Sequence, residues 1–275
     1  MVCARLLLLP IFLSVFSFGA LAEVKGACYA DSKEESAKIN GFTIRVFRHP
    51  QADQPRSLDD CRAEIKDASG KLIFSSEDHG LAILPVSGAD INDDGEPDAV
   101  IEGYTGGAHC CWDYWIVSLG KRPGLLTHLY NERDASFTKT NEGWILIETL
   151  DGRFDYFDGL SHAATPFPSV FLRLKGNYLE EISPKYWQAY QRQINGARNK
   201  LEPTDIEGFR KLGRKYPGAE GVEELVLSIV LADLYGGRPE EAWKALDKFW
   251  SRADIPRIRR LILKTHGNGL ANRRD

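Results

Sequence analysis

The feature that most constrains the fold is a change of periodicity near Ser183-Pro184. Before this point, short apolar segments alternate with period two and are bounded by Gly, Pro, Asn or Asp, a pattern typical of β-strands. After it, apolar residues recur at the three- and four-residue spacing of amphipathic helices. The pattern predicts an α+β protein of two domains: a mainly antiparallel β-domain over residues 23–182, followed by an α-helical domain of short hairpins over residues 183–275.

The first part of the chain contains a series of predicted short strands and no predicted helix longer than a turn or two. Asp67-Ala68-Ser69-Gly70, between the second and third of these strands, has the composition of a hairpin turn. The predicted strands are residues 42–47, 61–65, 72–74, 81–86, 99–104, 112–119, 144–149, 154–157 and 170–174.

Helix signals dominate the second part. Thr204-Asp205-Ile206-Glu207 has the form of a capping box. A second helix is predicted over 219–235, a third from Pro239 and a last one over 256–266. The run 237–242 resembles the turn and second helix of a tetratricopeptide repeat, a resemblance that implies protein binding. The preceding helix lacks that family's Trp, Gly and Tyr pattern, and the repeat does not recur.

Residues 1–22 have the pattern of a secretory signal peptide. Arg5 precedes an apolar run over 6–18, and Ala20-Leu21-Ala22 matches the small-x-small cleavage signal. An uncleaved N-terminal anchor is the alternative, although the apolar run is short for a membrane span. The prediction is a periplasmic or secreted protein, beginning at Glu23, with no integral membrane segment after signal cleavage.

Signal removal leaves four cysteines: Cys28, Cys61, Cys110 and Cys111. An even number in an oxidising compartment favours two disulfides, for which three connectivities exist. Because adjacent residues on a strand face opposite ways, we expect Cys110 and Cys111 to pair separately with Cys28 and Cys61. A redox sensor, or a metal site with His109, is the functional alternative.

Charge divides along the same boundary. Residues 23–182 contain 16 Lys and Arg against 27 Asp and Glu, a net of −11, whereas residues 183–275 contain 18 against 12, a net of +6. Both net charges are explained if the charged residues simply lie on solvated surfaces. A more specific hypothesis is that the basic part contacts an acidic surface, such as an envelope component, phospholipid headgroups or the β-domain itself. Its most concentrated basic cluster is Arg257, Arg259, Arg260 and Lys264. The overall net charge of −4 and the absence of interleaved aromatic residues argue against nucleic acid as a partner.

One short run carries the pattern of a metal-binding loop. Asp90-Ile91-Asn92-Asp93-Asp94-Gly95-Glu96-Pro97-Asp98 places oxygen donors at positions 1, 3, 5 and 9, with glycine at position 6. Calcium takes hard oxygen ligands, and the carbonyl of Glu96 can supply the position-7 ligand of such a loop. Position 12 is Ile101, and a predicted strand follows directly, so the run is not an EF-hand. An acidic β-turn that binds nothing is the alternative.

This context resembles the calcium loop of FG-GAP and related propeller repeats, which leads straight into a strand. The resemblance implies Asp90, Asn92, Asp94 and Asp98 as side-chain ligands of calcium. The pattern occurs once in the chain, whereas a propeller needs at least four blades.

The segment after the loop, Gly106-Gly107-Ala108-His109-Cys110-Cys111, is similar to a group of uncharacterised secreted bacterial proteins with no established activity. The favoured function is therefore a non-enzymatic, calcium-binding and disulfide-stabilised exported protein that binds a protein or envelope partner. The alternative is a periplasmic hydrolase, because Glu102, His109 and Asp113 crowd near the loop.

Overall fold

A computed structural model describes residue 28 and residues 34–48, 61–107 and 111–267. Within these residues the chain forms 12 strands and then five α-helices, joined by short 3₁₀ turns. The strands are β1 (Glu35–Ile39), β2 (Phe42–Arg48), β3 (Cys61–Lys66), β4 (Leu72–Asp78), β5 (Gly80–Ile83), β6 (Asp98–Tyr104), β7 (Trp112–Ser118), β8 (Gly124–Asn131), β9 (Ala135–Lys139), β10 (Ile145–Leu150), β11 (Ser169–Lys175) and β12 (Tyr178–Glu181). The helices are α1 (Trp187–Lys200), α2 (Pro203–Leu212), α3 (Ala219–Tyr235), α4 (Pro239–Phe249) and α5 (Ile255–His266).

The strands form three four-stranded antiparallel sheets. Their orders are β1-β2-β3-β4, β5-β6-β7-β8 and β12-β11-β10-β9, so within each sheet every strand pairs with its neighbours in sequence. Strands that follow one another through short connections pair most readily in the antiparallel sense. The predicted α+β class, with antiparallel sheets first and helices last, is confirmed.

The middle sheet, β5–β8, has an apolar cluster on each face. Alternate residues of its strands point to opposite sides. Val100 and Tyr114 belong to the larger cluster, whereas Ile101 and Val117 belong to the smaller one, together with Ile44 of the first sheet. The middle sheet therefore separates two cores, and the first sheet covers the smaller of them.

The larger cluster extends from the sheets into the helices. It contains Ile147 of β10 and Leu172 of β11 together with Val226 and Ile229 of α3, all with no exposed surface. The hydroxyl of Tyr190 in α1 donates to the carbonyl of residue 169 at 2.6 Å. The change of secondary structure falls at the predicted position, but the apolar core continues across it.

Several local predictions were wrong. Residues 154–157, predicted as a strand, run from the end of one 3₁₀ turn, Gly152–Phe154, to the start of another, Phe157–Gly159. An extended chain is interrupted here because Tyr156 and Asp158 have φ of 51° and 54°. The capping box at Thr204 does not form: the cap of α2 is Glu202, two residues earlier, it makes no side-chain hydrogen bond, and a proline follows it in the first turn. Strand β5 also stops at Ile83 instead of continuing to residue 86. Strands β1, β8, β9 and β12 and helix α1 were not predicted individually.

The disulfide pairing also differs from the prediction. Cys28 is bonded to Cys61, with Cα atoms 5.6 Å apart, so neither can pair with Cys110 or Cys111. Cys61 begins β3 in the first sheet, whereas Cys111 lies just before β7 in the middle sheet. Cys111 is itself in a disulfide. The two connectivities that pair Cys28 or Cys61 with Cys110 or Cys111 are therefore excluded. Cys110, like His109, lies outside the described residues.

The predicted signal peptide over 1–22 also lies outside the described residues. Among the helices of the described part, none combines the length and the apolar character needed to cross a membrane.

Candidate functional site

The predicted calcium loop connects β5 to β6 and is anchored at both of its ends. Asp98 is the first residue of β6, and its amide donates to the carbonyl of Ala89 at 2.8 Å. The amide of Leu119, just after β7, donates to the carbonyl of Pro97 at 2.9 Å. The loop is therefore a fixed extension of the middle sheet.

Three of the predicted ligands line the inside of this turn. Asp90 accepts hydrogen bonds from the amides of Asp94 and Gly95, at 3.0 and 2.8 Å. The side-chain oxygen of Asn92 also accepts from the Asp94 amide, at 3.2 Å, and the Asn92 amide group donates to Asp94 Oδ2 at 3.1 Å. Asp94 Oδ1 accepts from the amide of Glu96 at 2.9 Å. The oxygen donors of positions 1, 3 and 5 thus converge on one turn of backbone.

Asp98, the predicted ligand at position 9, is the most unusual residue of the loop. Its side chain has no exposed surface, and Oδ2 accepts the amide of Ile91 at 2.7 Å. Oδ1 is buried and has no hydrogen-bond partner. The pKa of Asp98 is raised to about 7, chiefly by burial, with the charges of Asp94 and Asp90 acting in the same direction and the hydrogen bond from the Ile91 amide opposing them. A buried carboxylate beside two others lacks the positive partner that such groups normally have.

Glu96 contributes differently from the other four. Its side chain points away from the turn and pairs with Lys121, Oε1 to Nζ at 3.0 Å, so only its carbonyl is available to the loop. The glycine at position 6, Gly95, has φ of +85°, which few residues other than glycine adopt. Gly120 allows the close approach of Glu96, since a Cβ there would lie 2.6 Å from that of Glu96.

The loop also joins the middle sheet to the third sheet. Arg173 of β11 donates two hydrogen bonds to Asp93 Oδ2, at 3.0 and 2.7 Å. The amide of Gly176, in the turn after β11, donates to the carbonyl of Asn92 at 3.1 Å. Ile91 is buried in the larger apolar cluster. A change in the conformation of the loop would therefore also alter the contact between the middle sheet and the third sheet.

The oxygen donors of the loop are carboxylate, amide and carbonyl groups, without nitrogen or sulfur, which is the ligand preference of calcium and magnesium. With Asp90 and Asp94 turned toward backbone amides, no group of three or more His, Cys, Asp or Glu side chains within the described residues is close enough to hold a metal ion. The free oxygen of Asp98 is the atom that the present contacts leave without a partner.

The residues of the hydrolase alternative are placed on different sides of the middle sheet. Glu102 is paired with Tyr114 and faces the larger cluster, where burial raises its pKa to about 7 despite a hydrogen bond from the Tyr114 hydroxyl. Asp113 is on the opposite face of the sheet, beside Trp115. These two carboxylates therefore do not share a site, and His109 lies outside the described residues.

Two histidine–aspartate pairs were not predicted. Asp113 forms a short hydrogen bond with His128 Nε2, and the His128 ring stacks on Trp115 with centroids 5.2 Å apart. His162 Nδ1 lies 2.8 Å from Asp155 Oδ1. The pair partners are 15 and seven residues apart in sequence, so no motif spacing could have indicated them.

A buried polar cluster lies where the helices meet the third sheet. Asp151, with no exposed surface, accepts hydrogen bonds from Arg153 and from the Tyr235 hydroxyl at the end of α3. His266 of α5 packs edge-on against Tyr235, with centroids 4.8 Å apart, and burial lowers its pKa. Because the Asp151 carboxylate is paired with the Arg153 guanidinium, the cluster is typical of a structural contact between the helices and the third sheet.

Comparisons of the chain with models of protein families, with curated proteins and with solved structures found no match. The functional assignment therefore depends on the geometry of the residues themselves.

Proposed function

We propose that the loop 90–98 binds calcium, and that the ion stabilises an exported, non-enzymatic protein whose role is to bind a partner. The observation that supports the proposal most strongly is Asp98: a fully buried carboxylate with one oxygen that has no hydrogen-bond partner, close to Asp90 and Asp94. A divalent cation is the simplest partner for such a group, because it offsets both the burial of charge and the mutual repulsion.

In this proposal Asp90, Asn92, Asp94 and Asp98 supply side-chain oxygens, and Glu96 supplies its carbonyl. The calcium-loop resemblance supports the same set. Bound calcium supplies positive charge that the loop lacks, and the protein's part is to hold the oxygens in place. Because Asp93 and the Asn92 carbonyl contact the third sheet, ordering the loop also strengthens the contact between the two sheets.

The test is thermal unfolding of the chain in EDTA and in calcium. An ion present at about a hundred times its Kd stabilises the folded state by about 2.7 kcal/mol. For a chain of this size, that corresponds to a rise in Tm of roughly 5–10 °C. The Asp94→Ala variant should lose this rise. A Tm that does not change when EDTA is replaced by calcium would contradict the proposal.

Asp98→Asn gives a second test, because its effect on the Tm should differ between EDTA and calcium. Asparagine can still accept the Ile91 amide but removes the buried charge, so in EDTA the variant should melt at or above the temperature of the wild type. In calcium it should melt below the wild type, because a ligand oxygen is lost. An equal calcium response in both proteins would argue against Asp98 as a ligand.

Asp67→Ala is the matched control. Asp67 lies in an exposed turn of the first sheet and accepts hydrogen bonds from the amides of Ser69 and Lys71, at 2.9 and 3.0 Å. It is the one carboxylate of the turn 67–71. Its loss should lower the Tm by a similar small amount in EDTA and in calcium. A calcium response that also disappears in this variant would show that any loosened turn has the same effect.

The division of roles follows the predicted two-domain organisation: the part 23–182 holds the ion, and the part 183–275 meets the partner. Net charges of −11 and +6 support this division. Export to the periplasm or beyond is supported by the signal-peptide pattern of residues 1–22 and by the Cys28–Cys61 disulfide. The tetratricopeptide-like run at 237–242 supports a protein as the partner.

A further inference from the structure

The helices enclose a cleft that the calcium proposal does not use. It lies between the end of α1, the start of α2 and one side of α4, and has a volume of ≈ 420 Å³. Its lining is Arg198, Leu201, Ile206, Glu241, Lys244, Ala245, Lys248 and Phe249.

The floor of this cleft is apolar and its rim is basic. Ala245 and Phe249 are buried, one helical turn apart on α4, and Leu201 and Ile206 are half-buried. The exposed side chains of Arg198, Lys244 and Lys248 stand around them, against the single acid Glu241. An occupant that complements this surface must itself be apolar on one side and acidic on the other.

The basic residues are only partly neutralised from within the protein. Lys244 Nζ lies 3.0 Å from Glu241 Oε1, but that pair is exposed and adds little stability. Among the described residues, neither Arg198 nor Lys248 forms an ion pair with a carboxylate within 4 Å, although the charge of Arg198 acts to lower the pKa of Asp233 and of Glu241. The Lys248 ammonium lies 4.9 Å from the centre of the Phe249 ring. Lys248 is therefore available to an acidic partner, and Arg198 is available in part.

The spacing of these cations favours a helical occupant. Lys244 and Lys248 are four residues apart on α4, about 6 Å along its axis. A helix with carboxylates four residues apart presents them at the same interval, and its neighbouring apolar stripe would then face Ala245 and Phe249.

A second cleft limits where the acidic side can lie. It begins on the other side of Leu201, has a volume of ≈ 280 Å³, and is lined by Glu202, Asp205 and Glu224 with a single cation, Lys200. Acidic residues of a partner would be repelled there, so the acidic segment is confined to the side of α4.

We propose that the cleft between α1, α2 and α4 binds an amphipathic acidic helix of a partner protein, with its carboxylates on Arg198, Lys244 and Lys248 and its apolar face on Leu201, Ala245 and Phe249. The proposal rests on the binding role proposed above and specifies the chemistry of the partner.

The test is fluorescence anisotropy with a labelled synthetic peptide that has leucines along one helical face and glutamates four residues apart beside them. The full chain should bind this peptide, with affinity falling as salt concentration rises. Two peptides serve as comparisons: one in which lysine replaces each glutamate, and one with the same residues in scrambled order. Both should bind at least about tenfold more weakly, since each lost charge pair or apolar contact is worth up to about a factor of five.

The variant Lys244→Glu/Lys248→Glu should weaken binding of the acidic peptide by about tenfold or more and restore binding of the lysine peptide. Its matched control is Lys71→Glu/Lys139→Glu, an equal change of net charge on exposed lysines of the sheets, which should leave binding unchanged. Circular dichroism and the Tm show that both variants are folded.

Three results would overturn the proposal. The first is equal binding of the ordered and scrambled peptides. The second is an equal loss of affinity in both double variants, which would reveal attraction to net charge alone. The third is a dimer of the wild type that Lys244→Glu/Lys248→Glu converts to a monomer, since a second copy would then be the occupant.

The same titration separates this proposal from the calcium proposal. Repeated with Asp94→Ala, it should give the same affinity, because the cleft and the loop share no lining residue. Peptide binding without any effect of calcium on the Tm would contradict only the calcium proposal. An effect of calcium on the Tm without peptide binding would contradict only the proposal for the cleft.

Discussion

Three carboxylates inside the protein, Asp98, Glu102 and Asp151, are held in different ways. Asp151 has two donors, Arg153 and the hydroxyl of Tyr235. Glu102 has one, the hydroxyl of Tyr114. Asp98 has a backbone amide on one oxygen and no partner on the other. Burial of a charge without a partner is the most expensive of these three arrangements, which is why the calcium proposal centres on Asp98.

Glu102 is predicted to make stability depend on pH. Its pKa is raised to about 7 in the folded chain, from 4.5, so the folded state binds its proton more tightly than the unfolded state. This contribution is fully present below pH 4.5 and is lost as pH rises through about 7. The loss is on the order of 3 kcal/mol at most. Glu102→Gln should therefore raise the unfolding free energy at pH 8 and leave it nearly unchanged at pH 4.

Denaturant unfolding between pH 4 and pH 8, in EDTA throughout, measures this effect. Glutamine keeps an oxygen that can accept from Tyr114, so the variant isolates the charge. Glu207→Gln, on the exposed side of α2, removes the same charge and is the control for the loss of one carboxylate. Parallel curves for wild type and Glu102→Gln would show that Glu102 ionises in the folded state as it does in the unfolded state.

At the scale of elements, helix α3 shows what the sequence could predict. Its 17 residues begin and end where the pattern indicated, because a long apolar segment is bounded by Gly218 and Gly236. Helix α1 is more polar, and its buried residues are only Tyr190, Ile194 and Ala197. Their spacing of four and three is helical, so a signal was present but weak.

The strands show the limit of pattern reading. Strand β1 has an alternating pattern, but only its pairing with β2 turns Ala37 and Ile39 toward the smaller core. The wrongly predicted strand at 154–157 has Phe154 and Phe157 buried through tight turns instead of alternation. The oxygen donors of the loop could be read from their spacing, whereas the burial of Asp98 depends on the sheets around it.

Asp158 joins one of these turns to two helical segments. It accepts from Arg257 of α5 at 2.5 and 2.6 Å, and from Arg214, just after α2, at 2.6 Å. Arg257 is 41% exposed, so solvent screening limits the strength of each pair. Asp158→Asn should lower the unfolding free energy by about 1–2 kcal/mol, because it leaves two guanidinium groups close together.

Asparagine is the suitable replacement because it tolerates the positive φ of this position, so the change tests charge and not backbone strain. A double-mutant cycle with Arg257→Gln should give a coupling energy of about 1 kcal/mol that decreases in high salt. The exposed pair Lys175–Glu180 is the control, and Glu180→Gln should cost much less than Asp158→Asn. Strict additivity in the Asp158–Arg257 cycle would refute the coupling.

At the scale of the whole molecule, the change from strands to helices does not coincide with a break in the apolar core. The pattern of the sequence correctly located the change from strands to helices. It could not show that the helices pack on the third sheet, because an apolar helix face does not reveal which surface it covers. Tyr190, Asp151 and Tyr235 join the two parts through hydrogen bonds as well as apolar contact. Net charge thus changes sign near residue 182, whereas packing is continuous across it.

Continuous packing predicts that sheets and helices unfold together. Ile44 of β2 and Ile229 of α3 both have no exposed surface, and they belong to the smaller and the larger apolar cluster respectively. Replacing either by valine removes one buried methylene and should cost about 1 kcal/mol. The middle sheet contributes to both clusters, so each variant should lower the midpoint of one shared transition. Far-ultraviolet circular dichroism and tryptophan fluorescence should follow the same curve in both proteins. If Ile229→Val displaced only a helical transition while the strands melted at an unchanged temperature, the two parts would be independent domains in the sense that the sequence alone predicts.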